Sequence, residues 1–156
     1  MNLPLSGALL AILGLILLSA GIEDVRRREI ANWKNAGIAL LAPAWWWARG
    51  LALWPDIGVQ IAIGLVAFGL FAAAFYLGWM GGGDVKLIGA LALWLPAQPL
   101  MFMLVLMSLG GGVLTLVMLA EHKLLRRKGP IEVPYGVAIV AATLLTLREP
   151  ILNQFP

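Results

Sequence analysis

Two aspartates, Asp24 and Asp84, stand at the ends of long apolar stretches, where a plain membrane helix needs no acid. Asp24 closes a run that carries no charge over residues 3–22, and Asp84 lies just ahead of an uncharged run over residues 87–120. Two carboxylates brought together in a partly dehydrated site cannot both ionise, so they share one proton. One then acts as base on a water while the other donates a hydrogen bond to a substrate carbonyl. That pair is the minimal equipment of an aspartic peptidase. Plainer readings stay open on position alone. Asp84 follows Gly81, Gly82 and Gly83 and can cap a helix. Asp24 lies beside Arg26, Arg27 and Arg28 and can form a solvated ion pair. Glu23 competes with Asp24 for the inward position. Acids at a membrane edge can also serve proton or ion movement in a non-enzymatic membrane subunit, a scaffold or transporter component.

The rest of the chain offers few other reactive groups. There is no cysteine and one histidine, His122, so neither a thiolate nucleophile nor a Cys/His metal cage can be built, and no metal or cofactor is expected. His122 is read as an interfacial residue. Gly81, Gly82 and Gly83 can adopt positive φ and let a substrate backbone approach Asp84. Lys86 is read chiefly as a topology or lipid-phosphate residue. Tyr135 serves either as a hydrogen-bonding group near the site or in packing.

The elements that must position these residues follow from hydropathy. Of the 156 residues, 62% are hydrophobic and 12% charged, against roughly 25% charged in a soluble domain. So small a domain cannot hide that much apolar surface, which excludes a soluble globular enzyme. Residues 3–22 suffice for one crossing. Arginines follow this run and nothing basic precedes it, the reverse of a secretory signal. It is therefore expected to be an uncleaved first helix with its N-terminus outside. Further spans are expected at residues 36–47, 57–80, 85–95, 100–120 and 134–147. Trp45, Trp46 and Trp47 read as an interfacial aromatic belt. The uncharged run 87–120 would make roughly 50 Å of helix, so it must turn back at Pro96–Pro99. The expected fold is all-α, a single domain over residues 1–156 with about six transmembrane helices. This topology leaves Arg26, Arg27, Arg28, Lys34, Lys86, Lys123, Arg126, Arg127 and Lys128 on the cytoplasmic side, nine of the eleven basic residues. The basic clusters therefore report topology and contact with anionic lipid, not nucleic acid, because no aromatics interleave with them. Both aspartates fall at the cytoplasmic ends of their helices.

Three segments then carry a resemblance. Asp24-Val25-Arg26-Arg27-Arg28-Glu29-Ile30-Ala31-Asn32 resembles the first motif of type IV prepilin peptidases, an Asp followed by basic residues and Ile-Pro-Asn. Gly81-Gly82-Gly83-Asp84-Val85-Lys86 is similar to their Gly-x-Gly-Asp motif followed by Val-Lys. Val133-Pro134-Tyr135-Gly136 looks like the segment that opens their last helix. The three occur in the family's order over roughly residues 5 to 148. The resemblance implies an aspartic dyad of Asp24 and Asp84. Gly81, Gly82, Gly83, Lys86, Asn32 and Tyr135 support it. The implied partners are prepilin or pseudopilin substrates and membrane lipid, and no cofactor is implied. Ala31 replaces the family's usual proline and is expected to loosen the turn. The long cytoplasmic loop with paired cysteines of the bifunctional members is absent. The resemblance is thus to the short, peptidase-only branch serving Flp-type (tight adherence) pili, at the bacterial inner membrane, without methyltransferase activity. An intramembrane protease of the presenilin type shares Gly-x-Gly-Asp, but pairs it with an aspartate inside a helix.

Overall fold

The computed structural model describes residues 2–125 and 133–152. The basic cluster Arg126, Arg127 and Lys128 lies outside the described residues. Six α-helices and no strand make up the described chain: α1 Leu3–Arg27, α2 Asn32–Arg49, α3 Gly58–Tyr76, α4 Gly82–Ala92, α5 Ala97–Leu124 and α6 Tyr135–Leu152. Three helical stretches are long and apolar enough to cross a membrane: Leu3–Arg27, Leu53–Tyr76 and Ala97–Leu124. Their outward faces are strongly apolar, with Leu65, Val66 and Leu70 on α3 and Val105, Leu109 and Leu116 on α5 all exposed. Such faces are costly in water and at ease against lipid.

Between the longer helices lies α4. From Leu87 to Ala92 every side chain is buried, as is Val85, the mark of a helix enclosed on all sides. It packs against α2, α3 and α6. With 11 residues it is about 16 Å long, so its last carbonyls end among apolar neighbours. An unpartnered carbonyl in such surroundings costs several kcal/mol. Side chains from two other helices supply the missing donors. Trp46 Nε1 donates to Leu93 O at 2.7 Å and Trp45 Nε1 to Trp94 O at 3.2 Å. Gln60 Nε2 donates to Ala92 O at 2.7 Å and Leu95 O at 2.8 Å. Trp94 returns a bond to Ile38 O at 2.8 Å and stacks on Trp45 with centroids 5.4 Å apart. The expected aromatic belt is thereby corrected. Trp45 and Trp46 are buried and engaged with α4, and only Trp47, 73% exposed, faces outward.

Helix boundaries follow local chemistry. Pro96 precedes the first residue of α5, close to the expected turn. Leu53–Ile57 forms one wide turn before α3, where Ala52 N donates to Asp56 Oδ2 at 3.0 Å. The α1–α2 connection takes only residues 28–31 and turns at Arg28, whose φ is 57°. Lys34, expected in a solvated cytoplasmic loop, is buried beneath this turn. Its ammonium sits 2.9 Å from Glu23 Oε2 and donates to Ser19 O at 2.9 Å.

Candidate active site

Asp24 lies near the end of α1 and is only 5% exposed. Its Oδ2 accepts the backbone amide of Val137 at 3.2 Å. The carboxylate therefore sits at the N-terminus of α6, where unpaired amides and the helix dipole favour negative charge. This corrects the solvated ion-pair reading: the carboxylate is turned inward to α6. The approach is possible because residue 136 is glycine. A Cβ there would lie 2.8 Å from Asp24 Cγ and Oδ2, and 2.8 Å from Ile30 Cδ1. A glycine inside a helix costs about 0.5–1 kcal/mol relative to alanine, and here it leaves the space that the carboxylate occupies.

Asp84 is 9% exposed and belongs to the first turn of α4. The N-cap is Gly81, so Asp84 is the third helical residue and the simple N-cap reading is corrected. Its carboxylate reaches back to the Gly81 backbone, and a Cβ on Gly81 would lie 3.1 Å from Oδ2. The expected positive φ at Gly81–Gly83 is not found. Gly81 has φ −71° and the next two glycines are helical, while positive φ falls earlier, at Gly78. Gly82 and Gly83 open a helix, which fixes their φ, and what they contribute is the absence of side chains. A Cβ on Gly83 would touch the Ile30 backbone nitrogen at 3.4 Å.

Asp24 and Asp84 line one cavity of about 800 Å³, together with Ile30, Asn32, Gly81–Gly83 and Tyr135. They lie within electrostatic reach of one another. Ile30 meets both Gly83 and Gly136 and so spaces the starts of α4 and α6. Sequence reasoning gave neither Ile30 nor Gly136 a role, although both stood inside the quoted motifs. A glycine just after a helix-opening proline was the available signal.

The supporting residues divide. Lys86 Nζ donates to Asn32 Oδ1 at 2.8 Å, tying the start of α4 to the start of α2. Tyr135 borders the cavity, and its ring packs on Gly111 of α5, where a Cβ would lie 2.6 Å from Cε1. That is the packing alternative, and it brings α6 close against α5 at Gly111. Glu23 does not line the cavity. Its Oε2 accepts Ala31 N at 3.1 Å and pairs with Lys34. The substitution of alanine for proline therefore supplies an amide that holds the turn, where loosening was expected.

The structure is thus a helical bundle with helices long and apolar enough to cross a membrane and two buried carboxylates at one polar cavity. The type IV leader peptidase family model matches residues 11–116, and the chain belongs to that family. The match includes both aspartates and stops short of Tyr135. The family implies a protease of the leader-peptidase kind, with prepilins as its substrates in general. No curated protein and no solved structure matches the chain.

Proposed function

We propose that this protein is an aspartic endopeptidase that removes the leader of Flp-type prepilins at the cytoplasmic face of the bacterial inner membrane, with Asp24 and Asp84 as its catalytic pair. The observation that carries this reading is that two aspartates far apart in sequence are both buried at one cavity. One carboxylate of the pair is ionised and accepts a proton from water as the water oxygen adds to the scissile carbonyl, while the other holds the shared proton and hydrogen-bonds that carbonyl oxygen. Collapse of the tetrahedral adduct breaks the C–N bond, and the leaving amine takes up the proton that the base carboxylate removed from water, which returns the pair to its starting state with one shared proton. No covalent enzyme intermediate and no metal is needed.

The proposed topology has six passes with the N-terminus outside, which puts both aspartates on the positively flanked, cytoplasmic side. In this arrangement α4 makes a short pass, ending near Trp45 and Trp46 at the outer part of α2. The four-residue α1–α2 connection and the lack of cysteine support a peptidase without the methyltransferase loop. The test is cleavage of an Flp-type prepilin co-expressed with the protein. The unaltered chain should yield mature pilin, and Asp84→Asn should leave the precursor intact.

A further inference from the structure

Asp24 and Asp84 are carried by helices that share no broad interface: α1 packs on α2 and α6, and α4 on α2, α3 and α6. What lies between the helices must therefore set the spacing of the two carboxylates. Ile30 occupies that place. It is 6% exposed and belongs to the short connection between α1 and α2. Its Cδ1 lies 2.8 Å from where a Cβ on Gly136 would stand, the same distance as Asp24 Cγ. Its Cβ and backbone nitrogen lie 3.4 Å from where a Cβ on Gly83 would stand. Gly136 precedes Val137, whose amide binds Asp24, and Gly83 precedes Asp84. One residue thus bears on the backbone beside both acids.

We propose that Ile30 is a positioning residue, a wedge between the starts of α4 and α6 that sets the separation of Asp24 and Asp84. The proposal rests on the aspartic-peptidase reading above. The connection that carries Ile30 is itself tied to the end of α1. Arg28 N donates to Asp24 O at 2.9 Å, Ala31 N to Glu23 Oε2 at 3.1 Å, and Lys34 N to Ala31 O at 3.0 Å. These bonds hold the backbone of the wedge in register with Asp24. Branching at Cβ restricts χ1, so the side chain is stiff. Both backbones it meets are glycine and carry no side chain to fill the space in its stead. Shortening Ile30 leaves a void, and a void is closed by movement of its walls. One wall carries Asp84 and the other the amide that binds Asp24, so the pair would lose its spacing.

The test measures kcat, KM and a melting curve for the full-length protein in membranes with an Flp-type prepilin. Ile30→Ala should lower kcat about a hundredfold and change KM less than about threefold, as a misplaced catalytic group does. Ile30→Val removes only Cδ1, the atom that crowds the space beside Gly136, and keeps the Cβ that faces Gly83. It should therefore relieve Gly136→Ala. The double variant should cleave about tenfold faster than Gly136→Ala alone, the non-additivity of residues in contact. Leu109→Val, on the outward face of α5, should give no such relief. A residue that only packs would lower the melting temperature and leave kcat of the folded enzyme unchanged. That result, or a double variant no faster than Gly136→Ala, overturns the wedge and leaves the peptidase reading standing. If Ile30→Ala does not fold, the valine pair decides alone. An unaltered protein that cuts no prepilin overturns both.

Discussion

The backbone amide of Val137 donates to the Asp24 carboxylate across 3.2 Å, joining two residues 113 positions apart. One end of α1 is thereby fixed to the first turn of α6. Asp84 stands in the first turn of α4, so the starts of two helices converge on one cavity. Helix N-termini are ready-made sites for negative charge. The arrangement can hold one carboxylate ionised although both are largely buried.

Gly136 is the position where this geometry is most sensitive. Gly136→Ala adds a carbon that the Asp24 carboxylate and Ile30 must move to admit. Cleavage should fall about a hundredfold, as small misplacements of a catalytic group do. Helix propensity alone would favour the alanine by about 0.5–1 kcal/mol, so a loss of activity without unfolding isolates the displacement. Initial rates beside a melting curve decide it, and undiminished cleavage would show that Asp24 has room to spare.

Gln60 tests the closure of α4. Its amide donates to both Ala92 O and Leu95 O. Gln60→Leu should lower stability by about 1–3 kcal/mol for each carbonyl left unpaired. Thermal unfolding in detergent is the measurement, and an unchanged midpoint would mean that other donors replace the amide.

Cleavage should follow a bell in pH, whose two limbs belong to the pair and not to either aspartate. Rate falls on the acid side as the single negative charge that activates water is lost. It falls on the alkaline side as the shared proton is lost. Initial rates with a detergent-solubilised prepilin would display both limbs, and a chemical step flat with pH would remove the shared proton from the mechanism.

Chelation and product mass address the chemistry that is not invoked. EDTA should leave cleavage unchanged, because cysteine is absent and His122 is the one histidine. The mature N-terminus should carry no added methyl even with S-adenosylmethionine present. A mass gain of one methylene would overturn the peptidase-only assignment.

Much of this was legible in the sequence, and the exceptions have physical causes. Hydropathy and the glycine break gave the helical order and put Asp24 and Asp84 at the ends of their helices. Hydropathy does not distinguish lipid from protein as the apolar neighbour, so the enclosure of α4 was invisible. Tryptophan is apolar with one donor and suits a membrane interface as well as a buried helix end. Trp45 and Trp46 therefore read as a belt until α4 supplied carbonyls for them. Lys34 read as a solvated topology charge because its partner Glu23 lies across a turn. Gly136 read as part of a motif, since only coordinates show what fills the space beside it.

The most direct test of the catalytic pair is prepilin cleavage in membranes by Asp24→Asn, Asp84→Asn and Glu23→Gln, each with insertion and folding checked. Asparagine keeps the size of aspartate but cannot cycle a proton. Glu23 faces Lys34 and Ala31, away from the cavity. The expected result is no cleavage by either aspartate variant and continued cleavage by Glu23→Gln, with a lower melting temperature because the buried Lys34 loses its countercharge and keeps only the Ser19 carbonyl. Normal cleavage by Asp24→Asn or Asp84→Asn would contradict the paired-aspartate mechanism.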